Sequence, residues 1–135
     1  MRAFVMTMIA LAAAWQLFPA ADTSYAEKAA ESWLALVDSG KYGDSWEQAA
    51  SLFKGAITKG KWEEALNGTR KPLGKLESRK LLGATYTKEL PGAPDGDYVV
   101  IQYSSSFANK KSATETVTPA REKDGTWRVA GYFIK

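Results

Sequence analysis

The sequence contains no histidine and no cysteine. Without histidine, no side chain has an unperturbed pKa near neutrality to serve as a general base, and the commonest metal ligand is missing. Without cysteine there is no thiol nucleophile, no disulfide and no zinc thiolate site. Catalytic triads that need His are therefore excluded, and any reaction would have to run on carboxylates, Tyr, Lys or Arg. Clustered glycine is absent too: Gly40, Gly43, Gly55, Gly60, Gly68 and Gly74 are spread as helix stops and turns rather than gathered into a phosphate loop. Charge of one sign is scarce, with 18 Lys and Arg against 15 Asp and Glu for a net charge of +3, and only residues 69–80 are noticeably basic. A nucleic-acid binder should show a basic stripe or a recognition motif, and neither is present. No cofactor and no metal is expected.

The one long apolar run lies at the start. Arg2 precedes it, residues 3–18 are almost unbroken, and small residues follow. That is the pattern of a secretory signal peptide. The run is shorter than the roughly 20 residues a spanning helix needs, and Thr7, Gln16 and Pro19 interrupt or end it, so no stable membrane anchor is expected after cleavage. Cleavage after Ala26 leaves Ser24 and Ala26 as the small pair before the cut and is favoured over cleavage after Ala21, which would set Pro19 in a position that wants a small residue. The expected organisation is a signal over residues 1–26 and a single domain over residues 27–135, in a bacterial periplasm or secreted. Exported domains of this size often use disulfides; this one must rely on its core.

Apolar residues at Ala26, Ala29, Ala30, Trp33, Leu34 and Val37 share one helical face, and Gly40 follows. Asp44 with Glu47 predicts a capping-box start for a second helix carrying Trp46, Ala49, Ala50 and Phe53 up to Gly55. Thr58 is a cap for a third, bearing Trp62, Ala65 and Leu66 and stopped by Asn67 and Gly68. Trp33, Trp46 and Trp62 are read as core packing in preference to ligand stacking. After Pro72 and Gly74 the period becomes two. Strands are predicted over residues 76–90 with a bend near Gly83, then 98–107, 112–122 and 127–134. Turns fall at Asn109-Lys110 and Asp124-Gly125. The fold class is α+β, about three N-terminal helices packed on a curved four-stranded antiparallel meander.

Two-residue turns set Tyr103 opposite Thr116 and Phe133, and Ser104 opposite Glu115 and Ile134. One face then carries Val99, Ile101, Tyr103, Phe107, Trp127, Val129 and Phe133 and should meet the helices. The other carries Tyr98, Val100, Gln102, Glu115, Val117, Arg128, Ala130, Tyr132 and Ile134. That second face is too apolar for a solvated sheet surface. It is read as a homodimer interface with Tyr98, Val117, Tyr132 and Ile134 at its centre, as the wall of a small-molecule pocket, or as a face shielded by its own long side chains.

The motifs A-x-x-W-L-x-L-V-D-x-G-x-Y at 30–42, S-W at 45–46, R-K-P-L-G at 70–74 and S-R-K-L at 78–81 resemble the bacterial domain of unknown function 4019 family. L-P-G-A-P-D-G-D-Y at 90–98, Q-Y-x-x-x-F at 102–107 and D-G-x-W-R-V-A-G-Y at 124–132 extend the resemblance over nearly all of the chain after the signal. It implies small exported proteins and names no reaction. The order of helices and sheet also resembles the cone of the cystatin-like, nuclear transport factor 2 and ketosteroid isomerase superfamily, a likeness of topology that does not deliver function.

In that cone, isomerase-type enzymes use a carboxylate base with Tyr and acid donors. Asp44 and Glu47 are better explained as a helix cap, and Asp38 as solvated or bonded to the turn after the first helix. Glu115, a lone carboxylate in mid-strand, needs a partner such as Arg128 or Arg70; an ion pair is favoured, with catalysis by Glu115, Tyr103 and Tyr132 as the alternative. Arg70 and Arg79 could hold an anion, or form a solvated basic edge with Lys71, Lys75 and Lys80. Candidate ligand or interface residues are Trp46, Trp62, Arg70, Arg79, Tyr98, Gln102, Tyr103, Glu115, Arg128 and Tyr132. The function expected is a non-enzymatic module binding a small molecule or an envelope protein, with homodimerisation through the sheet. A small isomerase-like or hydrolase-like enzyme is the alternative.

Overall fold

The computed structural model describes residues 22–135. The expected signal lies outside the described residues except for residues 22–26. Four helices precede the sheet: α1 (Ser24–Asp38), α2 (Tyr42–Glu47), α3 (Ser51–Ala56) and α4 (Lys59–Thr69), with a 3-10 turn at Lys71–Leu73. The helical part thus extends past the middle of the chain and is not confined to its N-terminal end. Four strands follow, β1 (Leu76–Thr87), β2 (Tyr98–Phe107), β3 (Lys110–Arg121) and β4 (Trp127–Ile134), in an open antiparallel sheet of order β1-β2-β3-β4.

Helix α1 forms because Ala26, Ala30, Trp33, Leu34 and Val37 make a continuous buried stripe. Asp22 accepts the Ser24 amide at 2.9 Å ahead of its first turn. Gly40 ends it at φ +74°, where Lys41 N–H returns to Leu36 O at 2.9 Å, a closure that favours glycine. The expected second helix is two helices. Ala50 is extended and donates its N–H to Val129 O on β4 at 2.8 Å, so the chain leaves the helix to join the sheet. Glu122, just past the end of β3, then caps α3 by accepting Ser51 N–H at 2.6 Å. Asp44 lies inside the first turn of α2 and makes no cap bond, while Glu47 pairs with Lys59 at 3.0 Å. Thr58 does cap α4, accepting from Lys61 N–H at 3.3 Å.

Two of the three helix tryptophans converge on Ser45. Trp33 donates to Ser45 O at 2.8 Å and Trp62 to Ser45 Oγ at 2.9 Å, while Trp46 donates to Ile57 O at 2.8 Å. Trp33 also meets Tyr132 edge-on, centroids 5.1 Å apart. The main core joins these rings to Val99, Ile101, Tyr103, Val117 and Val129 of the sheet. A smaller cluster of Ala50, Tyr98 and Ala120 is covered by Leu90 and Ala93 from the loop after β1.

The register differs from the expected one at the β2–β3 hairpin. Phe107 pairs with Lys110 around a turn at Ala108 and Asn109, because Ala108 N–H and Asn109 N–H bond Lys75 O and Leu73 O at 2.9 and 2.8 Å. An irregularity between Ser105 and Phe107 then leaves Tyr103 opposite Glu115 instead of Thr116. One residue of slip exchanges the faces of a strand. Glu115 and Val117 therefore turn inward with Tyr103. A second irregularity, between Thr118 and Pro119, lets both Val129 and Tyr132 face the core, and Phe133 is left 61% exposed. The apolar residues expected on the second face are thus redistributed between the two faces. The residues expected at the centre of a dimer interface are dispersed: Val117, Tyr132 and Ile134 line the helix-covered face, and Tyr98 is buried in the smaller cluster. The opposite face is largely hydroxyl-bearing, with Ser104, Gln102, Thr114, Thr116 and Thr118 on it beside the exposed Phe133.

Candidate functional site

The inward slip of β3 buries an ion network. Glu115 is 0% exposed. Its Oε1 accepts from Arg79 Nε at 2.8 Å and from the Ser105 hydroxyl; its Oε2 accepts from Arg79 Nη2 at 3.2 Å and from the Tyr132 hydroxyl. The sheet sets these positions, since Arg79 pairs with Ser105 across β1–β2, and Glu115 lies two residues along β3 from Val117, which faces Tyr132. Arg79 presents its other edge to Asp38, the last residue of α1, with Nη1 at 2.7 Å from Oδ2 and Nη2 at 2.9 Å from Oδ1. One guanidinium thus holds two carboxylates in its two forks, a geometry lysine cannot copy. Arg70, only 3% exposed, completes the set: Nη2 reaches Asp38 Oδ1 at 3.2 Å, Nη1 donates to Gly74 O at 2.8 Å, and the group lies 4.4 Å from the Phe107 ring centroid. Two cations and two anions cancel, which is what allows so many charges out of water.

Burial works against the charge of Arg79, but the hydrogen bonds it donates to Asp38 and Glu115 outweigh it and hold its pKa above the ordinary arginine value. Burial, and then the charge of Glu115, push the Tyr132 phenol far above its usual range. Tyr103 is pushed up to about 12, by burial first and then by Glu31, while Arg79 opposes the shift. The Tyr103 hydroxyl and Arg70 Nε are buried side-chain atoms without a partner. Chemically the assembly is closed. Each Glu115 oxygen already accepts two donors, so neither is left with a lone pair to take a proton from a substrate.

Of the residues singled out in the sequence, the network brings together Arg70, Arg79, Tyr103, Glu115 and Tyr132. The partner of Glu115 is Arg79, not Arg70 or Arg128, and Asp38, its side chain 20% exposed, bonds Arg70 and Arg79 and not its following turn. The others lie elsewhere. Trp46 and Trp62 sit among the helices, Tyr98 under the loop after β1, and Gln102 exposed on the hydroxyl face. Two partners escaped sequence reasoning. Asp38 carried a signal, because a carboxylate at a helix C-terminus opposes the macrodipole and calls for a nearby cation; Ser105 carried none.

Arg128 belongs to a different place, a groove of about 460 Å³ between α1 and β4 lined by Ala29, Ser32, Trp33, Leu36, Gln48, Thr126, Trp127, Arg128 and Val129. Beyond Trp127 a second depression of about 650 Å³ gathers Asp22, Tyr25, Tyr86 and Arg121. A polar basin of about 750 Å³ lies over the outer side of Asp38 and Arg70, with Lys41, Lys59, Lys71 and Lys75 among Asp44 and Glu63. Among the described residues, no group of three or more Asp and Glu gathers to hold a metal ion, and no helix is long and apolar enough to cross a membrane.

No curated protein and no solved structure matches the chain. A family model does, over residues 29–132, which include α2–α4, β1–β3, most of β4 and the whole ion network. By that match the chain belongs to the family described as protein of unknown function, DUF4019.

Proposed function

We propose that this chain is an exported, non-enzymatic binding domain of the bacterial envelope, in which the Asp38–Arg79–Glu115 network is scaffold and the α1–β4 groove receives a small ligand. The observation that carries the non-enzymatic reading is the saturation of Glu115. A general base needs an oxygen free to accept the substrate's proton, and this carboxylate spends its acceptor sites on Arg79, Ser105 and Tyr132. The groove supports binding because its volume, about 460 Å³, falls within the roughly 300–1,000 Å³ of small-molecule sites and its walls are mostly apolar. Export is supported by Arg2 and the apolar run over residues 3–18. We read the helices and sheet as a relative of the nuclear transport factor 2-like cone, supported by the irregularities near Leu82 and Pro119, which bend strands.

The test is Glu115→Gln followed by urea denaturation. The amide keeps the shape but faces the guanidinium with an NH₂ group, and the variant is expected to lose about 3 kcal/mol. A variant as stable as the parent, yet lacking a turnover that the parent shows, would replace this reading with the carboxylate-and-tyrosine enzyme.

A further inference from the structure

We infer that the α1–β4 groove binds a small amphipathic anion, a molecule with an apolar body and a carboxylate, sulfonate or similar head group. The inference rests on the reading of that groove as the binding surface and adds the chemistry of what enters it. Ala29 and Leu36 of α1 face Trp127 and Val129 of β4 across it, an apolar bed with no acid among its lining residues. Arg128 supplies its one formal charge. Among the described residues Arg128 joins no salt bridge, and its guanidinium makes one long bond, 3.5 Å from Nη1 to Gln48 O. On its other side Arg128 borders a depression with Glu47, Glu122 and Asp124, but those carboxylates bond Lys59, the Ser51 amide, and the amide and hydroxyl of Thr126 at 3.0, 2.6, 2.9 and 2.6 Å. Arg70 and Arg79, by contrast, are matched by the carboxylates of Asp38 and Glu115. Arg128 keeps a planar donor fork beside an apolar wall, the arrangement that favours a planar oxyanion carrying an apolar tail. A cationic head group would meet repulsion there and a neutral one would leave the fork to water.

Decanoate and decyltrimethylammonium separate these cases, because they share the tail and differ in charge. Each is titrated into the purified, isotope-labelled protein while amide and indole resonances are followed by NMR. Decanoate is expected to shift Leu36, Trp127 and Val129, with little response to the cation. Arg128→Gln should weaken decanoate about tenfold or more, with the amide spectrum elsewhere unchanged. If both amphiphiles shift the groove equally, or Arg128→Gln binds decanoate as well as the parent, the groove is a binding site but the anion preference is wrong. If neither shifts those residues, both the ligand class and the groove reading fall, while the stability result for Glu115→Gln stands apart from either outcome.

Discussion

Tyr103 holds a buried hydroxyl that meets no partner, between the Arg79 guanidinium and the acidic side of α1. A buried donor left unmade costs stability, so Tyr103→Phe is expected to leave the unfolding free energy in urea unchanged or raise it by up to about 1 kcal/mol. The same residue sets an alkaline limit. Unfolded, its phenol ionises near pH 10; folded, it is held neutral up to about 12. A raised folded pKa gives stability that is whole below the unfolded value and lost as pH rises through the folded one. Denaturation midpoints should therefore be flat with respect to this residue below pH 10 and fall between pH 10 and 12. Tyr132, raised by burial and Glu115, adds to the fall, so Tyr103→Phe should reduce the slope without removing it. In the sequence, Glu115 announced itself as a carboxylate needing a cation, and Arg70 and Arg79 as a pair; which cation it meets depended on a register that local residues do not set.

That register is decided at the scale of elements. The Asn109 side chain donates to Pro72 O at 2.9 Å, fastening the hairpin turn to the 3-10 segment and moving it one residue from the position that turn propensity favours. Helix propensity likewise runs unbroken through residues 44–55, yet the Ala50 bond to Val129 O and the Glu122 cap split the segment. Both departures are tertiary bonds spanning tens of residues, invisible to a sliding window. Periodicity, by contrast, located α1, α4 and all four strands, because each is organised by its own buried stripe or alternation. The long-range cap makes a direct prediction. Glu122→Ala should cost about 1 kcal/mol and increase hydrogen exchange selectively across Ser51–Ala56, leaving α1 protected.

For the whole molecule, the helices cover one face of the sheet, the ion network ties the end of α1 to β1 and β3, and the groove opens where α1 meets β4. Residues 22–26 belong to that architecture: Asp22 holds the Ser24 amide, Tyr25 lines the depression beyond Trp127, and Ala26 is 1% exposed. The burial of Ala26 inside α1 therefore argues against the cut after Ala26 expected from the sequence, and the export proposal predicts instead an intact mass beginning at Asp22, with cleavage after Ala21. A start at Glu27 would strip the first turn of α1 and a buried core residue. The central claim is that Glu115 exists to hold Arg79, and a double-mutant cycle of Arg79→Met and Glu115→Met, followed by urea denaturation, tests it most directly. Each single variant strands a buried charge and should lose about 3 kcal/mol, while the double variant removes both and should lose far less than the sum. Additive losses, or a Glu115→Met variant as stable as the parent, would contradict the claim and return that carboxylate to the list of groups awaiting a chemical role.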